Sequence, residues 1–358
     1  MIVPSIILTV LIVLAASVPD SWARREVLDA DQKTALVKID RVLVDVVAIT
    51  DSGAAKPDPL ADVVARRLNS LGYTIVTDPA QPHDAVFKVK CEQRKVWEGT
   101  SASGGDADLP DSPSRVWKGP ACQLSYLLNG KKMGWRKEVR TEFPDAVEAA
   151  AAAKAEDAGT YAMDKLRARL EEYEFPILIT AEWGQDERLL KLLDDPGTSP
   201  ARRVKAIAQL GNIFSAKAVP RLLTALKDPD MEVAKAAVIA LGNIGKKDSV
   251  PVLVETMKSG PPELRPSAAK ALGLVGALHG DFSIIPPLLE ALKTDDILLK
   301  TEVAWALGKL PDRRAYEPLF AIYKSLQKIH GTEDPKIVKL KEAVNYSLKQ
   351  IDTWEYIQ

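Results

Sequence analysis

Three histidines and two cysteines are the chain's whole supply of imidazole and thiol. Transition-metal sites need several such donors brought together, with or without carboxylates. The histidines stand as His83-Asp84, His279-Gly280 and His330-Gly331, a poor ligand supply, and they read as solvated loop residues. Cys91 and Cys122 lack the C-x-x-C spacing of redox thiols, which leaves a disulfide, a pair of packed thiols or a catalytic pair. Neither a phosphate-cradling glycine motif nor a nucleophile elbow is present. The stretch "TSASGGDADLPDSPS" contains glycine but reads as a linker. The expectation is therefore no catalytic residue, no metal and no cofactor. A net charge of −1 gives no global push towards nucleic acid.

The elements around the cysteines can be registered from sequence. "AVFKVKCEQRKVWE" (85–98) and "VWKGPACQLSYLLN" (116–129) read as strands. Paired antiparallel with residue numbers summing to 213, they set Ala85 against Leu128, Phe87 against Tyr126, Val89 against Leu124 and Cys91 against Cys122. All of these share one face, because side chains alternate along a strand. Lys90–Gln123 and Lys88–Ser125 fall on the other face, and Val96 meets Trp117 and Trp97 meets Val116 near the loop. The same register brings the two cysteines together. Asn129-Gly130 then signals a tight hairpin into "KKMGWRKEVRTEF".

Upstream, residues from Ala35 read as a strand, and 58–71 read as a helix capped by Asp58 and ended by Gly72. A short strand is possible at Thr74–Thr77. Downstream, residues 145–175 read as one long alanine-rich helix. The order makes 35–175 an α+β domain, a mainly antiparallel sheet with helices on one face. Residues 24–34 and 176–185 are expected as linkers. Residues 1–23 read as a cleaved export signal, with an uncleaved anchor and a misplaced start as alternatives. This implies an exported protein, periplasmic or otherwise in the cell envelope, with membrane contact only if the segment stays uncleaved. Export favours the disulfide between Cys91 and Cys122.

From Asp186 the pattern repeats. Leu-Gly pairs stand at 210–211, 241–242, 272–273 and 307–308, and Pro220, Pro251, Pro286 and Pro318 follow at similar distances. A period of 31 to 35 residues with two helices per unit marks an all-α solenoid of about five units over 186–351. The inward residues of the second helices are Ala206, Ile207, Leu210 and Ile213, and their equivalents in the next three units. The glycine after each leucine is read as a point of close backbone contact, with a C-cap role as the alternative; Gly245 is the better cap candidate.

Units such as "LLTALKDPDMEVAKAAVIALGNIGKKDSVPVLV" resemble HEAT repeats, in particular the short class named after phycobilin lyases. The fifth unit has an insertion and lacks the Leu-Gly, as terminal repeats often do. Deoxyhypusine hydroxylase, a HEAT-repeat enzyme, binds iron through His-Glu pairs, and here no histidine precedes a glutamate. The N-terminal domain is similar to small α/β modules of envelope lipoproteins and outer-membrane assembly factors, on element order and on "LNSLGYTIV".

What remains is surface. Three residues before each glycine, the second helix points away from the core with Ala208, Ile239, Lys270 and Trp305. Six before, it carries Lys205, Ala236, Ser267 and Glu302. An exposed Ile and Trp exceed what solubility requires, although Trp305 could instead pack under the enlarged fifth unit. The expectation is a non-enzymatic scaffold that binds a protein partner, not nucleic acid, through Lys205, Ala208, Ile239, Lys270 and Trp305 on the concave face. The alternative is a chromophore lyase or other enzyme on the same scaffold.

Overall fold

The computed structural model describes residues 28–100, 114–328 and 334–355. The expected export signal, the start of the first expected linker, most of the Gly-containing loop and His330 lie outside the described residues. Among the described residues no helix is long and apolar enough to cross a membrane.

The sheet is mixed. Strands β1 (Arg41–Thr50), β2 (Gly53–Ala55), β3 (Thr74–Val76), β4 (Ala85–Thr100), β5 (Ser114–Leu128) and β6 (Lys131–Arg140) lie in the order β2-β1-β4-β5-β6. β3 runs parallel to the start of β1, and β1 runs parallel to β4; the other ladders are antiparallel. The expected pairing of β4 with β5 holds from Ala85↔Leu128 to Glu92↔Ala121 and includes Cys91↔Cys122. The cysteines form a disulfide, with Sγ atoms 2.00 Å apart. Beyond Glu92 the register slips by one, so Val96 meets Lys118 and Trp97 meets Trp117. A β-bulge inserts a residue in one strand, which a single register sum cannot represent. Asn129 (φ 50°) and Gly130 (φ 75°) make the hairpin turn with both central residues left-handed.

Three further expectations change. Residues 30–37, divided between an expected linker and an expected strand, form helix α1 (Ala30–Val37), held by an Asp29–Gln32 capping box. After α2 (Asp58–Asn69), whose first residue is Asp58 and whose start has no side-chain cap, the alanine-rich stretch splits into α3 (Ala146–Ala152) and α4 (Ala158–Glu172). Asp145 and Asp157 each accept backbone N–H groups and so start a new helix each. The third change is at 176–185. That stretch lies largely in helix α5 (Phe175–Glu182), whose Phe175, Ile177 and Ile179 are buried. Phe175 stacks on Phe87 at 5.6 Å, and Trp183 meets Tyr73 and Tyr126 edge-on. A run as apolar as "FPILI" gains far more from covering a sheet than from standing in water.

The junction that follows is polar and satisfied. The buried Gln185 amide donates to the carbonyls of Leu36 and Ile39 and accepts from Tyr73 Oη and Arg188 Nε. Arg188 lies over the Tyr73 ring and reaches Asp40 at 2.7 Å. Burial raises the Tyr73 hydroxyl pKa well above the usual tyrosine value, so it stays a neutral donor.

Five helix pairs then stack: α6 (Asp186–Asp194) with α7 (Pro200–Asn212), α8 (Val219–Ala225) with α9 (Met231–Ile244), α10 (Val250–Ser259) with α11 (Arg265–His279), α12 (Ile285–Ala291) with α13 (Ile297–Lys309), and α14 (Tyr316–Gln327) with α15 (Pro335–Glu355). Pro220, Pro251 and Pro286 sit in the first turns of α8, α10 and α12, where a missing N–H costs little. The expected inward residues are buried, except Ile213, which is half-buried.

The glycine question is settled by distance. A methyl built on Gly211 would stand 3.0 Å from the Cα of Ala240; on Gly242, 2.8 Å from that of Ala271; on Gly273, 2.7 Å from that of Ala306; on Gly308, 2.9 Å from that of Ser347. Each glycine admits the next second helix at backbone distance. Gly245, at φ 69°, is the C-cap of α9.

Candidate protein-interaction surface

The close approach of α7, α9, α11, α13 and α15 leaves one face of this layer uncovered. The residue before each backbone-contact position points out along it: Ile239 precedes Ala240, Lys270 precedes Ala271, Trp305 precedes Ala306 and Tyr346 precedes Ser347. Ala208 begins the row on α7. Ala208, Lys270 and Lys205 are exposed, and Ile239 is 47% exposed.

Trp305 differs from the other row members. It is half-buried and packs on Tyr346, with ring centroids 4.8 Å apart. The outer edge of this aromatic pair belongs to Tyr346, which is 37% exposed. Tyr346 escapes a search for Leu-Gly pairs because its unit has none. Ser347 takes the small-residue position instead, and it avoids the cost of a buried hydroxyl by donating to the carbonyls of Ala304 and Ala343.

A groove runs between α7 and α9, where Glu232 and Lys235 stand beside Ala208, Ile239, Asn212 and Asn243. A second opens over the C-terminal ends of α7, α9 and α11, lined by Phe214, Leu274 and Leu278 and by the same two asparagines. Phe214 and Leu278 are each 66% exposed. Phe214 takes φ 54°, a left-handed conformation that the next unit assigns to Gly245. For a side chain with a Cβ that conformation costs on the order of 1 kcal/mol. The sequence signal was available, "GNIF" against "GNIG" one unit later, but it identifies Phe214 only once the backbone is known.

Electrostatics on this face centre on Glu302 of α13. Burial raises its carboxyl pKa, while Lys270, Lys309 and Lys339 from three successive second helices act to lower it. Elsewhere the solenoid's ion pairs join neighbouring units: Arg203 of α7 with Asp228 in the loop before α9 at 2.9 Å, and Arg221 of α8 with Asp194 of α6 at 2.9 Å. No group of three or more metal-ligating side chains occurs among the described residues. His83 Nδ1 is paired with the Gln81 carbonyl and His279 Nε2 with the Gly245 carbonyl.

No curated protein matches the chain. Among solved structures, a designed armadillo repeat protein in complex with the peptide (KR)4 is 20% identical over 52% of this chain and 94% of that one, with a TM-score of 0.37. The complex of CpcE and CpcF of phycocyanin lyase from Nostoc is 19% identical over 59% and 98%, with a TM-score of 0.27. Human deoxyhypusine hydroxylase in complex with glycerol is 16% identical over 58% and 90%, with a TM-score of 0.26. Residues 187–273 and 255–328 match the family model of HEAT repeats, and the stacked helix pairs described above form a HEAT/armadillo-like helical solenoid.

Proposed function

We propose that the protein is a non-enzymatic scaffold that captures a protein partner on the second-helix face, through Lys205, Ala208, Ile239, Lys270 and Trp305, with Tyr346 extending the row. The observation that carries this reading is the row itself. Only Trp305 among these positions also packs on the core, yet the row holds an exposed isoleucine and, in Tyr346, a part-exposed aromatic edge where neutral polar residues would suffice. Stacked units turn one helix position into a continuous ridge. The second helices meet one another at backbone distance, and a stack that is tighter on one layer bends towards it, which supports reading this as the concave side.

The Cys91–Cys122 disulfide supports an exported protein working in an oxidising compartment. The sheet domain, joined to the solenoid through Gln185 and Trp183, presents the array from one fixed end.

The test is photo-crosslinking in the native cell, with a photoreactive phenylalanine at position 239 or, as control, at Val252 on the outer layer. A discrete adduct from 239 that is absent from 252 is expected. Equal adducts from both positions, or none from 239, would refute the reading. A chromophore lyase would instead show visible absorbance when purified with its pigment.

A further inference from the structure

We infer that the segment taken by this face is acidic with interspersed apolar residues, and that it is read by lysines contributed one per unit along the solenoid. This rests on the proposal that the second-helix face binds a protein. Lys205 of α7, Lys235 of α9, Lys270 of α11, Lys309 of α13 and Lys339 of α15 are all exposed. None of the five makes an ion pair among the described residues. Three of them, Lys270, Lys309 and Lys339, act electrostatically on the Glu302 carboxylate without pairing with it. Glu302 on α13 and the exposed Glu342 on α15 offer two carboxylates against these three ammonium groups, and Glu232 lines the α7–α9 groove beside Lys235, so the five lysines face three carboxylates and the face keeps a cationic excess.

The chain as a whole carries −1, so this excess is local to the face and not a property of the protein. Concentrating like charges costs self-repulsion, which a ligand of opposite sign relieves. The sign sets the partner's charge. The apolar groups between the lysines set the rest of its character: Ile239 on the ridge, and Phe214 and Leu278 at the groove edge. An extended segment sends successive side chains to opposite sides, so one lying edge-on against the array directs one set towards the lysines and the other towards Ile239 and the groove. Acidic residues reaching the lysines and apolar residues reaching Ile239 and the groove satisfy both features together. A nucleic acid fits less well. Its phosphates gain nothing from Ile239, Phe214 or Leu278, and the five cations are all lysine, without the planar fork that pairs phosphate bidentately.

The probe is a fluorescent octapeptide of alternating Glu and Leu, titrated with the full chain and followed by anisotropy. Alternating Lys-Leu and Ser-Leu octapeptides and an oligothymidylate serve as comparisons. The Glu-Leu peptide is expected to bind most tightly and to weaken as salt is raised. The double variant Lys270→Glu/Lys309→Glu should weaken it by about tenfold or more. Both side chains are exposed, and unchanged circular dichroism checks the fold. Lys258→Glu, on the outer helix α10, should change nothing. Glu302→Gln removes the acid that Lys270, Lys309 and Lys339 all act on and should tighten binding, which a purely structural glutamate would not do. The inference is overturned if Lys-Leu or Ser-Leu binds as well as Glu-Leu, if oligothymidylate binds more tightly, or if the double variant is indistinguishable from the parent. It is also overturned if the Glu-Leu peptide fails to bind while crosslinking from position 239 still succeeds. That last result sinks the acidic segment and leaves the binding face standing; loss of the position 239 crosslink sinks the face itself.

Discussion

Replacing Gly242 with alanine sets two effects of opposite sign against each other, and the geometry decides between them. Gly242 lies inside α9, where alanine is the better helix former by about 1 kcal/mol. The new methyl would, however, stand 2.7 Å from the Cβ and 2.8 Å from the Cα of Ala271 on α11. Carbon atoms rest at about 3.5–4.0 Å, so α9 and α11 must separate by about 1 Å. Backbone cannot rotate out of the way as a side chain can. Overpacking of this kind costs about 1–3 kcal/mol. The net expectation is a loss of about 1–2 kcal/mol despite the better propensity. Urea denaturation measures the total, and amide hydrogen exchange should place the loss at the α9–α11 interface, because each unit of such an array touches only its neighbours. The double variant Gly242→Ala/Ala271→Gly should recover part of it, since the clash between the two methyls is removed while the crowding against the α11 backbone stays. A neutral or stabilising Gly242→Ala would show that the helices do not meet at backbone distance, and the account of the array would fail with it.

Phe214→Gly should raise stability by about 0.5–1 kcal/mol by relieving a left-handed phenylalanine, while weakening partner capture; lowered stability would mean that the ring packs in the core. Leu241→Ala should cost about 2–5 kcal/mol in thermal or urea unfolding, as for any fully buried leucine. Trp305→Ala should cost less, about 1–3 kcal/mol through lost packing on Tyr346, and should reduce capture as well. If Trp305→Ala unfolds the protein as Leu241→Ala does, Trp305 is core and drops out of the site. Burial holds the Glu302 carboxyl above its ordinary value of 4.5, so the folded chain binds that proton more tightly than the unfolded chain. Stability from this group is therefore lost as pH rises through that window. Glu302→Gln should match the parent in unfolding below pH 4.5 and exceed it at neutral pH, and a parent that gains on the variant with rising pH would contradict this.

Repetition and alternation are local properties, and they carried much of this molecule. Leu-Gly spacing alone placed four helix pairs and their buried leucines, because stacking neighbours bury the same positions each time. Alternation in 85–92 and 121–128 set the register that joins Cys91 to Cys122, since a slip of one residue would have turned every apolar side chain outwards. Other features depend on what lies across a gap in the sequence. The bulge after Glu92 needs the partner strand to be visible. The buried course of α5 needs Phe87 and Tyr126 already standing in the sheet, since an apolar run specifies burial without saying against what. Trp305 shows the same limit at the site. Its position on the outward row followed from helix geometry, but its half-burial comes from Tyr346, in a unit whose register only Gly308 against Ser347 reveals. The influence of Lys270 and Lys339 on Glu302 likewise follows from the way α11, α13 and α15 stack, because these residues stand at different positions of their units, whereas Lys309 lies two turns along Glu302's own helix.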